Sequence, residues 1–284
     1  MPPIIHCVRH AQGFHNLSTA NHVLPDPLLT PLGEDQCVTL RANFPYHKRV
    51  DMVVASPLRR TIYTALLGFE TDIKSKGLKI VALPEIQETS DVPCDTGSDV
   101  EVLKKEVEEK GLPVDLDLVQ EGWNSKQGKW APAASAIVAR AREARRWLKA
   151  RPEKEIVLVT HGGFLHFFTE DWQDSSLYQG TGWANTEFRS FQFSDNIDKE
   201  GIAEGAIEVD NASLVETVES RKRRGKTEEA PSREDQKKFY AQSIQRWDDL
   251  GLQASEAERL AAKKARENGD KKVPEGTEVD GAPF

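Results

Sequence analysis

Short apolar runs alternate with helical patterns over the first two-thirds of the chain. Ile4 to Val8, Asp51 to Ala55 and Leu78 to Leu83 read as strands, and Glu155 to Thr160 is the most apolar run of all. Thr30, followed by Pro31 and Glu34, is a helix-start signature, so a helix is predicted from Pro31 to about Asn43. Ser56-Pro57 opens a second helix in the same way, with Arg59, Arg60 and Thr64 in its opening turns and Gly68 at its end. Ala133 to Ala150 has the period of a long amphipathic helix, stopped by Pro152. Thr186 to Phe193 alternates with period two, which predicts a half-exposed edge strand. Strands that take turns with helices predict an α/β fold of three layers, a mostly parallel central sheet flanked by helices.

The composition changes after about Asn211. Arg221 to Lys226 is a basic run, Glu228 to Asp235 is acid-rich, and Glu256 to Asn268 is an Ala, Glu, Lys and Arg helix pattern. This divides the chain into a body over 1–211, with a long insertion at about 96–130 that includes the charged helical run Glu101 to Lys110, and a charged, partly helical or disordered tail over 212–284, which reads as a solvated helix, a docking arm or an appendage without a core of its own. The run at 221–226 reads either as a solvated patch or as a nuclear address. Over 284 residues, 38 Lys and Arg face 46 Asp and Glu, a net charge of −8 that argues against a nucleic-acid partner. No stretch reaches the ~20 apolar residues of a membrane span, and His6 and Arg9 interrupt the place where a leader would be apolar. The expectation is a cytoplasmic protein without a membrane partner; oligomeric state is not legible. Cys7, Cys37 and Cys94 have no paired spacing and are expected to be reduced thiols, Cys7 in the core.

Candidate chemistry gathers at strand ends. Arg9 and His10 follow the first strand, Arg59 and Arg60 the second, and His161 the apolar one. Ligands of open parallel sheets bind at the carboxyl ends of the strands, so these groups should converge. Arginines and imidazoles brought together need an anion among them, and guanidinium groups grip phosphate oxygens bidentately. No pair of histidines with the spacing of a metal site has carboxylates nearby, so neither a metal nor another cofactor is expected.

The segment Arg9-His10-Ala11-Gln12-Gly13-Phe14-His15-Asn16 resembles the R-H-G-x-x-x-x-N signature of the histidine phosphatase superfamily, the phosphoglycerate mutase-like family. Ser56-Pro57-Leu58-Arg59-Arg60-Thr61-Ile62-Tyr63-Thr64-Ala65 is similar to its S-P-L-x-R-x-x-x-T-A element, and Val159-Thr160-His161-Gly162-Gly163 to its V-S-H-G-G element. The likeness spans roughly residues 3 to 210. The R-H-A-Q-G form of the first motif resembles fungal and plant branches. This resemblance implies that His10 is a nucleophile forming a phosphohistidine, that Arg9, Arg60 and His161 hold the phosphoryl oxygens, and that Asn16 adds a neutral donor. His15, downstream in the same loop, is a further candidate lining residue. The family takes its proton donor from a carboxyl after the third strand. Leu83-Pro84-Glu85-Ile86-Gln87-Glu88 resembles that P-E-L-x-E segment and nominates Glu88, with Glu85 second. The family's following glycine and W-E-G are absent, so Asp91 and Asp95 stay open as alternatives.

The insertion at 96–130 is expected to form a helical lid that selects substrate, with Trp123 and Trp130 either walling the pocket or packing the lid onto the body. The resemblance thus implies a metal-independent phosphatase acting on a small organic phosphomonoester. A phosphoglycerate-type mutase and a phospho-ligand or protein-binding module with weak catalysis are the alternatives.

Overall fold

The computed structural model describes residues 1–177, 181–194 and 212–249, together with positions 260, 261 and 264. Seven strands form one sheet: β1 (Ile4–Arg9), β2 (Met52–Ala55), β3 (Ile80–Ala82), β4 (Val114–Asp115), β5 (Glu155–Thr160), β6 (Phe188–Phe193) and β7 (Leu214–Glu216), in the order β4-β3-β2-β5-β1-β6-β7. The first five positions of that order pair in parallel, and β6 and β7 close the far side antiparallel. The three-layer α/β expectation therefore holds.

β2 and β5 are buried along their whole length, which is why they read as continuous apolar runs rather than alternating ones. Side chains of successive residues feed opposite faces. Ile5, Cys7, Ile156 and Leu158 pack on one face beneath α5 (Ala134–Lys149) and α6 (Gly162–Thr169). Val8, Val53, Val157 and Val159 pack on the other beneath α1 (Pro31–Asn43), α2 (Arg59–Gly68), α3 (Glu70–Lys76) and α4 (Val100–Lys110). The cysteines are free thiols and all buried. Thr30 caps α1 as expected, its Oγ1 accepting from Gly33 N at 3.0 Å. Ser56 does not cap α2. That helix begins at Arg59 behind Leu58, and the Ser56 hydroxyl is committed to the site described below.

Two expectations are corrected. β6 is not an edge, because β7 pairs with it from within the segment read as a tail. That segment is not a coreless appendage either. α7 (Gln173–Leu177) is followed, beyond β6 and β7, by α8 (Val218–Arg223) and α9 (Arg233–Asp249), and Leu214, Tyr240 and Trp247 join the main core under α5 and α6. Three cations of the basic run, Arg221, Arg224 and Lys226, are engaged inside the fold. Arg224 pairs with Glu216 at 2.8 Å and with Asp174, Lys226 pairs with Asp174 at 3.0 Å, and Arg221 donates to Glu228 O at 2.9 Å. Lys222 and Arg223 of the same run stay exposed. The expected boundary at 211 and most of the helix expected at 256–268 lie outside the described residues. Among the described residues no helix is long and apolar enough to cross a membrane.

Most of the 96–130 insertion packs on one face of the sheet, and only the two residues of β4 widen it. β4 extends its edge, and Val100, Leu103, Val114, Leu116, Val119 and Trp123 bury against the α2 face. Trp123 packs rather than walls a pocket. It is buried against Gly97, where any Cβ would overlap the indole, and its Nε1 donates to Ser98 O at 3.2 Å.

Candidate active site

The strand order sets β2, β5 and β1 side by side, so the residues after each of them meet. His10 leaves β1 with its backbone N–H bonded to Thr160 O at 2.9 Å. Its Nδ1 lies 2.7 Å from the carbonyl oxygen of Ala11, so that nitrogen carries the proton and donates. The lone pair is then on Nε2. The loop is held by Thr64 on α2, whose hydroxyl accepts from Ala11 N at 3.0 Å and donates to Arg60 O at 2.6 Å. The threonine of the second motif thus ties it to the first.

Arg9, Arg60, His10, His15 and His161 are all at least nine-tenths buried and lie together. The His10 ring centroid is 5.3 Å from that of His15 and 5.3 Å from that of His161. Arg60 donates to His161 Nδ1 at 3.0 Å, to Asp95 Oδ1 at 2.9 Å and to Cys94 O at 2.5 Å. Because His161 Nδ1 accepts, its Nε2 bears the proton and donates to Ser56 Oγ at 2.9 Å. Burial holds the pKa of His10 well below the ordinary histidine value, and the positive charges of Arg60 and Arg9 push it the same way. His161 and His15 are depressed by burial and by Arg60. All three rings are therefore neutral near pH 7. Arg9 is lowered to about 10 by burial, with the Glu88 charge opposing, and remains a cation.

Glu88 sits at the start of α6. Its Oε1 accepts from Phe164 N and Thr89 N at 2.9 Å, and its Oε2 from Gly163 N at 3.3 Å. Gly163 is what allows this approach, since a Cβ there would lie 2.8 Å from Glu88 Oε1. Burial and the neighbouring Asp95 raise the Glu88 pKa above the ordinary carboxyl value, against the pull of Arg60. The loop bearing it is clamped by Arg140 on α5, which donates to Glu85 O, Gln87 O and Glu88 O at 2.7, 2.8 and 3.2 Å.

The other candidates separate. Glu85 pairs with Lys129 at 2.7 Å and Arg59 with Glu106 at 2.8 Å, both outside the cluster. Asp95 is inside it as the partner of Arg60, and its Oδ2 accepts from Ser90 Oγ at 2.5 Å. Asn16 accepts through Oδ1 from Gly13 N at 3.0 Å, closing the loop beneath His15. His15 itself packs where Gly13 has no Cβ, 2.8 Å from where one would stand. Lys126, unremarked in the sequence, reaches the same side. Its Nζ donates to Glu88 O at 3.3 Å, and burial lowers its pKa to about 7. Its backbone is left-handed, at φ 55°, which is uncommon for a residue other than glycine. Among the described residues no cluster of His, Cys, Asp and Glu is placed to hold a metal ion.

The family model for the histidine phosphatase superfamily (branch 1) matches residues 5–197. A phosphoglycerate mutase-like protein of Arabidopsis thaliana is 30% identical over 201 residues, covering 57% of this chain and 72% of that one. A Schizosaccharomyces pombe protein described as a probable phosphatase is 27% identical over 168 residues, covering 58% and 76%. Among solved structures, an ecdysone phosphate phosphatase from Bombix mori in complex with tungstate matches with a TM-score of 0.47 at 16% identity, covering 67% of this chain and 89% of that one.

Proposed function

The chain belongs to the histidine phosphatase superfamily, and from that premise we propose that it is a phosphatase that hydrolyses small organic phosphomonoesters through a phosphohistidine on His10. The observation that carries this reading is the His10 tautomer, neutral, with Nδ1–H donated to Ala11 O and the Nε2 lone pair left for attack. In the first step His10 Nε2 forms a bond to phosphorus as the P–O ester bond breaks, and the departing alkoxide takes a proton from Glu88. In the second, water attacks phosphorus, the N–P bond breaks, and the Glu88 carboxylate accepts the water's proton. Arg9 and Arg60 hold the phosphoryl oxygens where charge builds, with His161 and His15 lining the same space. Asp95 keeps the Arg60 guanidinium turned inward. The substrate contacts are those of a phosphate ester, and no metal is assigned a step.

The test is turnover of p-nitrophenyl phosphate in EDTA, with vanadate as inhibitor and release of inorganic phosphate as the readout. Phosphate release that survives EDTA supports the reading. Transfer to an added phospho-acceptor in place of release would make the protein a mutase, and neither turnover nor vanadate binding would reduce it to a vestigial fold.

Two further results are expected. Glu88→Gln should slow alkyl phosphates by about 10²-fold or more and p-nitrophenyl phosphate much less, since nitrophenolate leaves without protonation. Equal losses on both esters would reassign the donor. In the pH profile, neutral His10 stays competent below the ordinary histidine range, so kcat/KM should not fall as pH drops through 6.5. Glu88 must enter protonated, so alkyl-ester turnover should decline as pH rises through its raised pKa, and Glu88→Gln should flatten that limb. An acid limb centred near 6.5 would contradict the His10 assignment.

A further inference from the structure

The loop over 181–187 touches both residues on which the proposed chemistry turns. Thr186 N donates to Arg9 O and Arg9 N to Glu187 O, each at 3.1 Å. The Arg9 guanidinium donates to Trp183 O, and Asn185 Nδ2 donates to His10 O at 2.9 Å. Arg9 is therefore aimed by this loop rather than by its strand alone.

The other side of the loop rests on a buried ion network that reaches beyond residue 211. The Arg189 guanidinium lies 3.7 Å over the Trp183 ring and donates to Gly182 O at 2.9 Å. Gly182 needs its left-handed φ of 67°, and a Cβ there would stand 2.8 Å from the Asp174 backbone. Arg189 in turn pairs with Asp174 at 3.1 Å and with Glu187 at 2.7 Å. Arg224 shares both of those carboxylates, at 3.4 Å from Glu187 and in contact with Asp174, and is anchored to Glu216 on β7 at 2.8 Å.

The geometry points to Arg224 as a positioning residue for the phosphate site, acting from outside it through Glu187, Asp174 and Arg189 on the loop that aims Arg9. Its side chain is 13% exposed, so the pairs are largely shielded from solvent. Removing it takes a cation from all three carboxylates, leaving Asp174 to Arg189 and Lys226, Glu187 to Arg189 and Glu216 to the Ser220 hydroxyl, and the loop that Glu187 belongs to has to shift. In a desolvated site a displacement of about 1 Å is worth up to about 10²-fold in rate. This inference rests on the phosphatase reading, so its test is built to fail separately.

The full chain is compared with Arg224→Ala, Arg224→Lys and Glu216→Gln for kcat and KM on p-nitrophenyl phosphate, for the Kd of inorganic phosphate, and for Tm. Assays are run well below the lowest Tm. Arg224→Ala is expected to raise KM and the phosphate Kd by about tenfold with a smaller fall in kcat, because Arg9 acts on the bound dianion. Arg224→Lys should restore most of that affinity, and Glu216→Gln should move it in the same direction as Arg224→Ala. Lower Tm with wild-type KM and phosphate affinity in all variants would make Arg224 merely structural and overturn the inference. Should Arg224→Ala not fold, the same comparison stands on Arg224→Lys and Glu216→Gln. A wild type that neither turns over the ester nor binds phosphate would overturn the phosphatase reading instead.

Discussion

Replacing His10 with alanine is expected to reduce p-nitrophenyl phosphate turnover by about 10⁴-fold or more, the scale seen when a covalent nucleophile is removed. The fold should survive. His10 is only 2% exposed, so the change is not free: it loses the Nδ1–H bond to Ala11 O, worth about 1 kcal/mol, and some packing. It also removes a ring whose charged form is opposed by Arg9 and Arg60, so no paired charge is orphaned. A loss of at most about 3 kcal/mol lowers Tm by no more than about 12 °C in a domain of this size. Wild-type protein quenched during turnover should yield a phosphoenzyme that is labile in acid and stable in base, the signature of phosphohistidine, and His10→Ala should yield none. Near-wild-type turnover by the variant would remove the nucleophile from His10 altogether.

The site was legible where its chemistry is local in sequence. Arg9-His10, Arg60 and His161 each follow a strand that announces itself by apolar character, and the parallel sheet brings strand ends together whatever lies between. Glu88 was legible only through its segment's likeness to the family, because what distinguishes it from Glu85 is the amide group of Gly163, 75 residues away. Asp95 and Lys126 belong to the site through tertiary contact, with Arg60 at a separation of 35 residues and with Glu88 at 38. The sequence offers Asp95 as an alternative proton donor and not as the partner of Arg60, and nothing in its neighbourhood marks Lys126. Ser56 shows a local rule overridden: Ser-Pro before a helix reads as a cap, yet the hydroxyl is taken by His161.

The packing of the region beyond 211 is illegible in its own sequence for the same physical reason. Charged residues predict solvent, and Arg221 to Lys226 is as charged as any stretch in the chain. Arg224 is nonetheless drawn in by Asp174, which lies 50 residues earlier, and by Glu216. A three-residue strand such as Leu214–Glu216 is too short to show a period, and only its partner β6 defines it.

Deleting residues 221–284 is accordingly expected to destroy the folded protein rather than spare it. The cut removes Tyr240 and Trp247, which are buried against Trp172 and Phe167 at ring distances of 4.9 to 6.5 Å. It also removes Gln236, whose side-chain oxygen accepts from Trp172 N at 2.7 Å. Emptying a buried Phe or Trp site costs about 3–5 kcal/mol, and an aromatic pair of this kind is of similar order. Stripping Arg224 and Lys226 from Asp174 and Glu216 leaves buried carboxylates short of partners, about 3–5 kcal/mol more. The sum is about 6–10 kcal/mol, comparable to the whole stability of a typical domain at about 5–15 kcal/mol. The truncated chain should therefore appear in the insoluble fraction, or melt without a cooperative transition by circular dichroism. The double substitution Tyr240→Ala, Trp247→Ala should lower Tm by about 10 °C or more while leaving the ion network in place. A soluble 1–220 chain with a wild-type melting transition would show that the aromatic cluster and the network contribute nothing the rest of the core does not already supply.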